Sequence, residues 1–300
     1  MNILNSIFLK FNKNLYLILG PSWSSKLAHS LLGRNILKFT HKGENGLQVY
    51  EAIDGIKMLL TKDEALTMGI FYLGMLNPLE TRIVKSILKP GDIFIDVGAY
   101  IDGWYTLLAS RIVGRAGKVI SFEPHPEYAR RLSQSINFNN FHNIRLENYG
   151  LSDKKTQKIL YEGGPASSYL KNHTEVLTKT KAKKIKTKLT TLDSYVKAKR
   201  IKKVKLIKID VEGLEVKVLK GGRKFLKSNP PQYLLIEVSD TFLKRAGSNE
   251  DELIQILKTH NYDPFMFGIS GKLEKYVKNK RNEIYNLLFI HQNKKKYYLV

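Results

Sequence analysis

The stretch IFIDVGAYIDG, from Ile93 to Gly103, decides the fold class. It opens after the turn Pro90-Gly91 with an apolar run, of the kind a strand covered on both faces requires. The run ends at an acid, Asp96, and the loop that follows carries Gly98 and Gly103 before a helical pattern begins. Strand, glycine-containing loop and helix in that order predict the first unit of a parallel sheet packed under helices.

The same alternation recurs downstream. KVISFE ends at Glu123, a third run spans Ile144 to Tyr149, VKLIKID closes at Asp210, and QYLLIEV places Glu237 near its carboxyl end. Gly213 is expected to open a helix with Leu214, Val218 and Leu219 on one face, and Asp251 to His260 another. The runs around Phe265 and at Ile284 to His291 are expected to close the sheet as a β-hairpin. Residues 77–300 therefore read as one Rossmann-like α/β domain, and residues 1–76 as an N-terminal extension of helical and short β pieces, among them GLQVYEA and IKMLL.

In open parallel sheets ligands bind beyond the carboxyl ends of the strands, where the strand order reverses, so the strand-ending residues are the candidate site. Asp96, Gly98, Ala99 and Gly103 follow the first strand. Glu123, in FEP, ends the second, where a carboxylate can accept from both ribose hydroxyls of a nucleoside. The glycine pattern departs from GxGxxG, so a pyrophosphate cradle is not evident and a nucleoside cofactor without phosphates fits better than NAD. Asp210 and Glu212 end the fourth strand in KIDVEGLE. A helix N-cap would account for one of those two acids, not comfortably for both. Lys208, inside an otherwise apolar strand, is expected either to snorkel or to pair with a nearby carboxylate.

DVGA at Asp96, FEP at Phe122, LSD at Leu151, TLD at Thr191 and KIDVEGLE followed by Leu219-Lys220-Gly221-Gly222 together resemble the FkbM family of methyltransferases, in order and in spacing. The resemblance spans roughly Glu80 to His291. It implies a class I methyltransferase fold with a mostly parallel seven-stranded sheet and helices on both faces. It implies S-adenosyl-L-methionine as cofactor and O-methylation of a sugar, glycan or other small hydroxylated metabolite. Asp96, Gly98, Ala99, Gly103 and Glu123, with Asn148 and Leu151 from the segment that lies near adenine, are the implied cofactor residues. Asp210, Glu212 and Glu237 are the candidate catalytic acids, as base or as ligands of a divalent ion such as Mg²⁺. In one place the chain departs from the family: GAYIDG stands where the family reads GAN, one residue and glycine, and Asp102 is expected either to supply the polar contact of the missing Asn or to turn to solvent.

Composition bounds the alternatives. The 300-residue chain contains no cysteine, which excludes disulfides, thiolate metal sites and a cysteine nucleophile, and fits a cytoplasmic setting. No apolar run reaches the ~18 residues of a membrane span. Ile3, Leu4, Ile7 and Phe8 have helical spacing suited to a peripheral membrane contact or to packing on the protein's own core. The net charge of +23 is concentrated at Lys179 to Lys188 and Lys197 to Lys205. Neither run interleaves the aromatic residues that stack bases, so a solvated lysine surface is expected ahead of nucleic-acid binding. An RNA methyltransferase and a non-catalytic lysine-rich binding module remain the competing functions.

Overall fold

The computed structural model describes residues 48–60, 70, 73–100, 102–162, 168–170, 183–267, 272–278 and 284–294. The N-terminal amphipathic pattern and part of the first lysine run lie outside the described residues.

The core is a sheet whose strands are β3 (Ile93–Val97), β4 (Lys118–Phe122), β5 (Ile144–Glu147), β10 (Val204–Ile209), β11 (Tyr233–Val238), β12 (Tyr262–Phe267), β13 (Leu273–Lys275) and β14 (Tyr285–His291). Their order is β13-β12-β14-β11-β10-β3-β4-β5. From β5 to β11 all neighbours are parallel, and β14 runs antiparallel to both β11 and β12. The Phe265 and Ile284–His291 runs close the sheet as an antiparallel pair, but not as a hairpin, since β13 lies between them in the chain. The sheet has eight strands rather than the expected seven, because Leu273–Lys275 pairs antiparallel with Phe265–Phe267 on the edge that β12 would otherwise leave open.

Helices α1 (Pro78–Ile87), α2 (Trp104–Val113) and α3 (Pro126–Phe138) share one core with Phe94, Val119 and Leu206. Helices α4 (Leu192–Ala198), α5 (Glu215–Gly221), α6 (Arg223–Ser228), α7 (Asp240–Arg245) and α8 (Glu250–Thr259) share another with Ile95, Ile120 and Ile207. Alternate residues of each central strand thus enter opposite cores. This double coverage is why β3, β10 and β11 read as continuous apolar runs.

Upstream, β1 (Gln48–Glu51) and β2 (Lys57–Leu60) form the hairpin foreshadowed by GLQVYEA and IKMLL. It does not join the sheet. Side chains of α3 and of its C-cap residue Asn139 satisfy the backbone of β2 instead. Asn139 Oδ1 accepts from the Lys57 N–H at 2.8 Å, Ser135 Oγ from the Leu59 N–H at 2.9 Å, and Arg131 donates to the Leu59 carbonyl at 3.2 Å.

The segment between β5 and α4 makes a second sheet of order β6-β9-β7-β8 from β6 (Gly150–Leu151), β7 (Thr156–Glu162), β8 (Ser168–Leu170) and β9 (Lys183–Thr190). Along β9, Thr187 and Leu189 are buried while Lys184, Lys186 and Lys188 are exposed, a period-two pattern that explains that lysine run as a solvated strand face.

Candidate active site

Strand order reverses between β3 and β10, and their carboxyl ends open into a cavity of about 310 Å³. Asp96, Gly98, Ala99, Glu123, Leu151, Asp210, Glu212 and Glu237 all line it. Gly103 and Asn148 do not. Gly103 precedes α2 with φ of 57°, and a side chain there would run into Leu132. Asn148 donates to the Glu123 carbonyl at 2.8 Å and so steadies the segment that carries Glu123.

On the β3–β4 side the backbone holds the acids. Gly98 and Ala99 donate to the Phe122 carbonyl at 3.0 and 3.1 Å, tying the loop after β3 to the end of β4. Gly98 has φ of 90°, and a Cβ there would collide with the Asp210 carbonyl oxygen, so only glycine lets the two strand ends meet. Each Glu123 oxygen accepts one backbone N–H, from His125 and from Tyr100, both at 2.8 Å. A carboxylate has capacity for about four acceptor bonds, so the side chain is fixed and still able to take two hydroxyl donors. Burial pushes its pKa up to about 7. Asp96 is 1% exposed; its Oδ2 accepts from Thr106 Oγ1 at 2.7 Å, while its Oδ1 has no partner among the described residues.

On the β10–β11 side the charged groups hold each other. Lys208 lies opposite Asp96 in the β3–β10 register and donates to Asp210 Oδ2 at 2.7 Å, with its ammonium 4.9 Å from the centre of the Tyr105 ring. Of the two fates expected for this lysine, pairing is the one realised. Burial pulls its pKa down, but the carboxylates of Asp210 and Asp96 outweigh burial and hold it above the ordinary lysine value. Burial and then Asp210 raise Glu237 to about 9, and burial raises Glu212 to about 7. Neither Asp210 nor Glu212 caps the next helix, whose N-cap is Leu214. Glu212 sits at φ of 55°, an uncommon conformation for a residue with a Cβ.

Glu215 was not singled out in the sequence, and it braces this loop. Its Oε1 accepts from the Val211 and Gly213 N–H groups, each at 3.1 Å. Its only sequence signal is its place as the last acid of KIDVEGLE.

Three further sequence motifs have architectural roles. Thr191 caps α4 by accepting from the Ser194 N–H, and the Asp193 carboxylate accepts from Lys224 and Phe225 at the start of α6. Gly221 abuts the Ser152 carbonyl so closely that a Cβ would not fit. LSD, TLD and the Gly221-Gly222 pair thus lock the second sheet, α4 and α6 together, and DVGA, FEP and KIDVEG build the cavity.

A reversing sheet with a last antiparallel strand, a glycine loop after the first parallel strand and a buried acid ending the next is the architecture of the class I methyltransferase fold. The methyltransferase FkbM domain matches residues 96–264, more than half of the chain, and the chain belongs to that family. S-adenosylmethionine is accordingly its cofactor, and the unpartnered buried oxygen of Asp96 with the half-occupied carboxylate of Glu123 fits a ligand rich in donors. No curated protein sequence matches it.

Solved structures resemble it more distantly. A methyltransferase FkbM from Methylobacillus flagellatus KT aligns at 14% identity over 75% of this chain and 53% of that one, with a TM-score of 0.40. A putative methyltransferase from Streptococcus mutans in complex with SAH aligns at 12% identity over 71% and 96%, with a TM-score of 0.42. A SAM-dependent O-methyltransferase from Thermotoga maritima aligns at 13% identity over 82% and 78%, with a TM-score of 0.41. Among the described residues no three side chains form a metal-binding group, and no helix is long and apolar enough to cross a membrane.

Proposed function

We propose that this protein methylates a hydroxyl oxygen on a sugar, glycan or other small metabolite, with Asp210 as the base. The observation that carries this reading is the meeting of Asp210, Glu212 and Glu237 in the same cavity as Glu123. The acids at the ends of β10 and β11 then face the acceptor, and those at the ends of β3 and β4 hold the cofactor.

S-adenosylmethionine supplies a methyl group on a sulfonium leaving group. The protein must hold the acceptor oxygen in line with that methyl and take its proton as the bond forms. Asp210 accepts the hydroxyl proton. Lys208, in contact with Asp210 on one side, keeps the carboxylate oriented. Glu237, raised to about 9, is protonated at neutral pH and offers the acceptor a hydrogen-bond donor, so the two acids divide the labour by environment. Leu160 and Leu189 of the second sheet close the wall over the site and contribute to acceptor choice.

The test is methyl transfer from isotopically labelled cofactor to a panel of sugars, nucleotide sugars and glycans, with RNA alongside. Methyl ethers formed on sugar hydroxyls support the proposal. Methylation confined to RNA, with steeply salt-dependent binding, replaces it with the nucleic-acid reading. Loss of activity after exhaustive EDTA treatment would add a divalent ion held by Asp210 and Glu212; retained activity leaves the carboxylate alone as base.

A further inference from the structure

We infer that Asp102, in the loop where this chain departs from its family, is the receptor for the ammonium group on the amino-acid arm of the cofactor. The inference rests on reading the cavity as the S-adenosylmethionine site.

Asp102 is 3% exposed and lines the same cavity as Glu123. Its Oδ1 accepts from the Trp104 N–H at 2.9 Å, in the first turn of α2. Helix capping accounts for that oxygen alone. Oδ2 is buried and has no partner among the described residues. Asp96, within electrostatic reach of Asp102, also carries a buried oxygen with no partner among the described residues.

An unpartnered carboxylate oxygen in a dry site is costly unless something supplies a donor, and a cation does so best. The cavity's own cation is committed elsewhere, since Lys208 bonds Asp210. Burial leaves Asp102 raised to about 7, the position of an acid whose positive partner is missing. The Tyr100 N–H binds Glu123 at one end of GAYIDG, and Asp102 stands near the other, so a nucleoside held at Glu123 has Asp102 on a wall of the same cavity. An asparagine in this role would offer a neutral acceptor; the aspartate makes the contact charge-assisted.

The test is isothermal titration of the full-length protein with two probes, S-adenosylhomocysteine and methylthioadenosine, which share the nucleoside thioether and differ in the amino-acid arm. Asp102→Asn is expected to weaken S-adenosylhomocysteine by about 10- to 100-fold, the loss of one charge-assisted contact, and to leave methylthioadenosine within about threefold. Glu123→Ala is expected to weaken both. Equal weakening of both probes by Asp102→Asn, or no weakening of either, overturns the assignment.

A second measurement needs no variant. Below pH 7 wild-type binding of S-adenosylhomocysteine, compared in buffers of different ionisation enthalpy, is expected to release about one more proton than binding of methylthioadenosine, because the arriving ammonium ionises Asp102. Equal release overturns the assignment. If wild type binds methylthioadenosine and gains nothing from the amino-acid arm, the ammonium receptor fails and the cofactor site stands; if it binds neither probe, both fail.

Discussion

The carboxyl ends of β3 and β4 and those of β10 and β11 face each other across one cavity, and they hold their acids by different means. Glu123 is fixed by two backbone N–H groups and Asp96 by a threonine. Asp210 is held by the lysine two residues earlier on its own strand, and Glu237 is perturbed by burial and by Asp210. Backbone donors do not move or titrate, which suits the first half to the cofactor-holding role proposed for it. Mutual charge contacts respond to every proton gained or lost, so the second half is suited to chemistry. The loop from Asp210 to Gly213 combines both modes, since Glu215 anchors its backbone from within while Asp210 and Glu212 face the cavity.

If that division is right, variants on the two sides separate binding from turnover. The largest effect is expected from Asp210→Asn, which lowers kcat by about 10²- to 10⁴-fold and leaves S-adenosylhomocysteine affinity within about threefold, as read by steady-state kinetics beside titration calorimetry. The amide keeps an oxygen for Lys208, so a large loss of affinity would mean that the halves are not separable. Glu123→Ala comes next, with affinity for S-adenosylhomocysteine falling by about 100-fold because two hydroxyl contacts to the carboxylate are lost. Unchanged affinity would remove Glu123 from the receptor.

A smaller effect belongs to the brace. Glu215→Ala is expected to cost about 1–3 kcal/mol in urea unfolding, the cost of leaving the half-buried Val211 and buried Gly213 amides unpaired. It should depress kcat more than affinity, because Glu215 supports the β10 side alone. The last test is the pH dependence of stability without ligand. Glu237, raised from 4.5 to about 9, holds a proton in the folded state that the unfolded chain releases. Its contribution is therefore complete below about pH 4.5 and is lost as pH rises towards about 9. Asp102, Glu123, Glu212 and Glu215, raised to about 7, act in the same direction over the lower part of that window. Melting temperature should fall between pH 5 and 9, and Glu237→Gln should flatten the part above pH 7. A flat wild-type profile would mean that the β10–β11 acids are not coupled as their geometry requires.

Much of this cavity is legible in the chain because strand ends are. A buried parallel strand must be apolar along its length, so the acids at Asp96, Glu123, Asp210 and Glu237 stand out against their runs, and the rule that such ends converge brings them together before any coordinates exist. Lys208 is conspicuous for the same reason. Glu215 and Tyr105 are not, since an acid in a first helical turn and a tyrosine in a buried helix are ordinary residues until a partner across the fold gives them a role. The hairpin Gln48–Leu60 shows why its attachment escaped the sequence: its backbone is satisfied by Asn139, Ser135 and Arg131 of a helix more than 70 residues away, and no local pattern encodes that.

The sequence alone determined the alternation of strands and helices, the family, and which acids terminate strands, because each follows from local periodicity and from residue types that burial forbids elsewhere. Tertiary structure alone decided the eighth strand on the β12 edge, the brace from Glu215, the locking role of LSD, TLD and Gly221, and the lone oxygen of Asp102. Those depend on which groups meet across the fold, and a hydrogen bond between distant residues leaves no period in the chain that makes it.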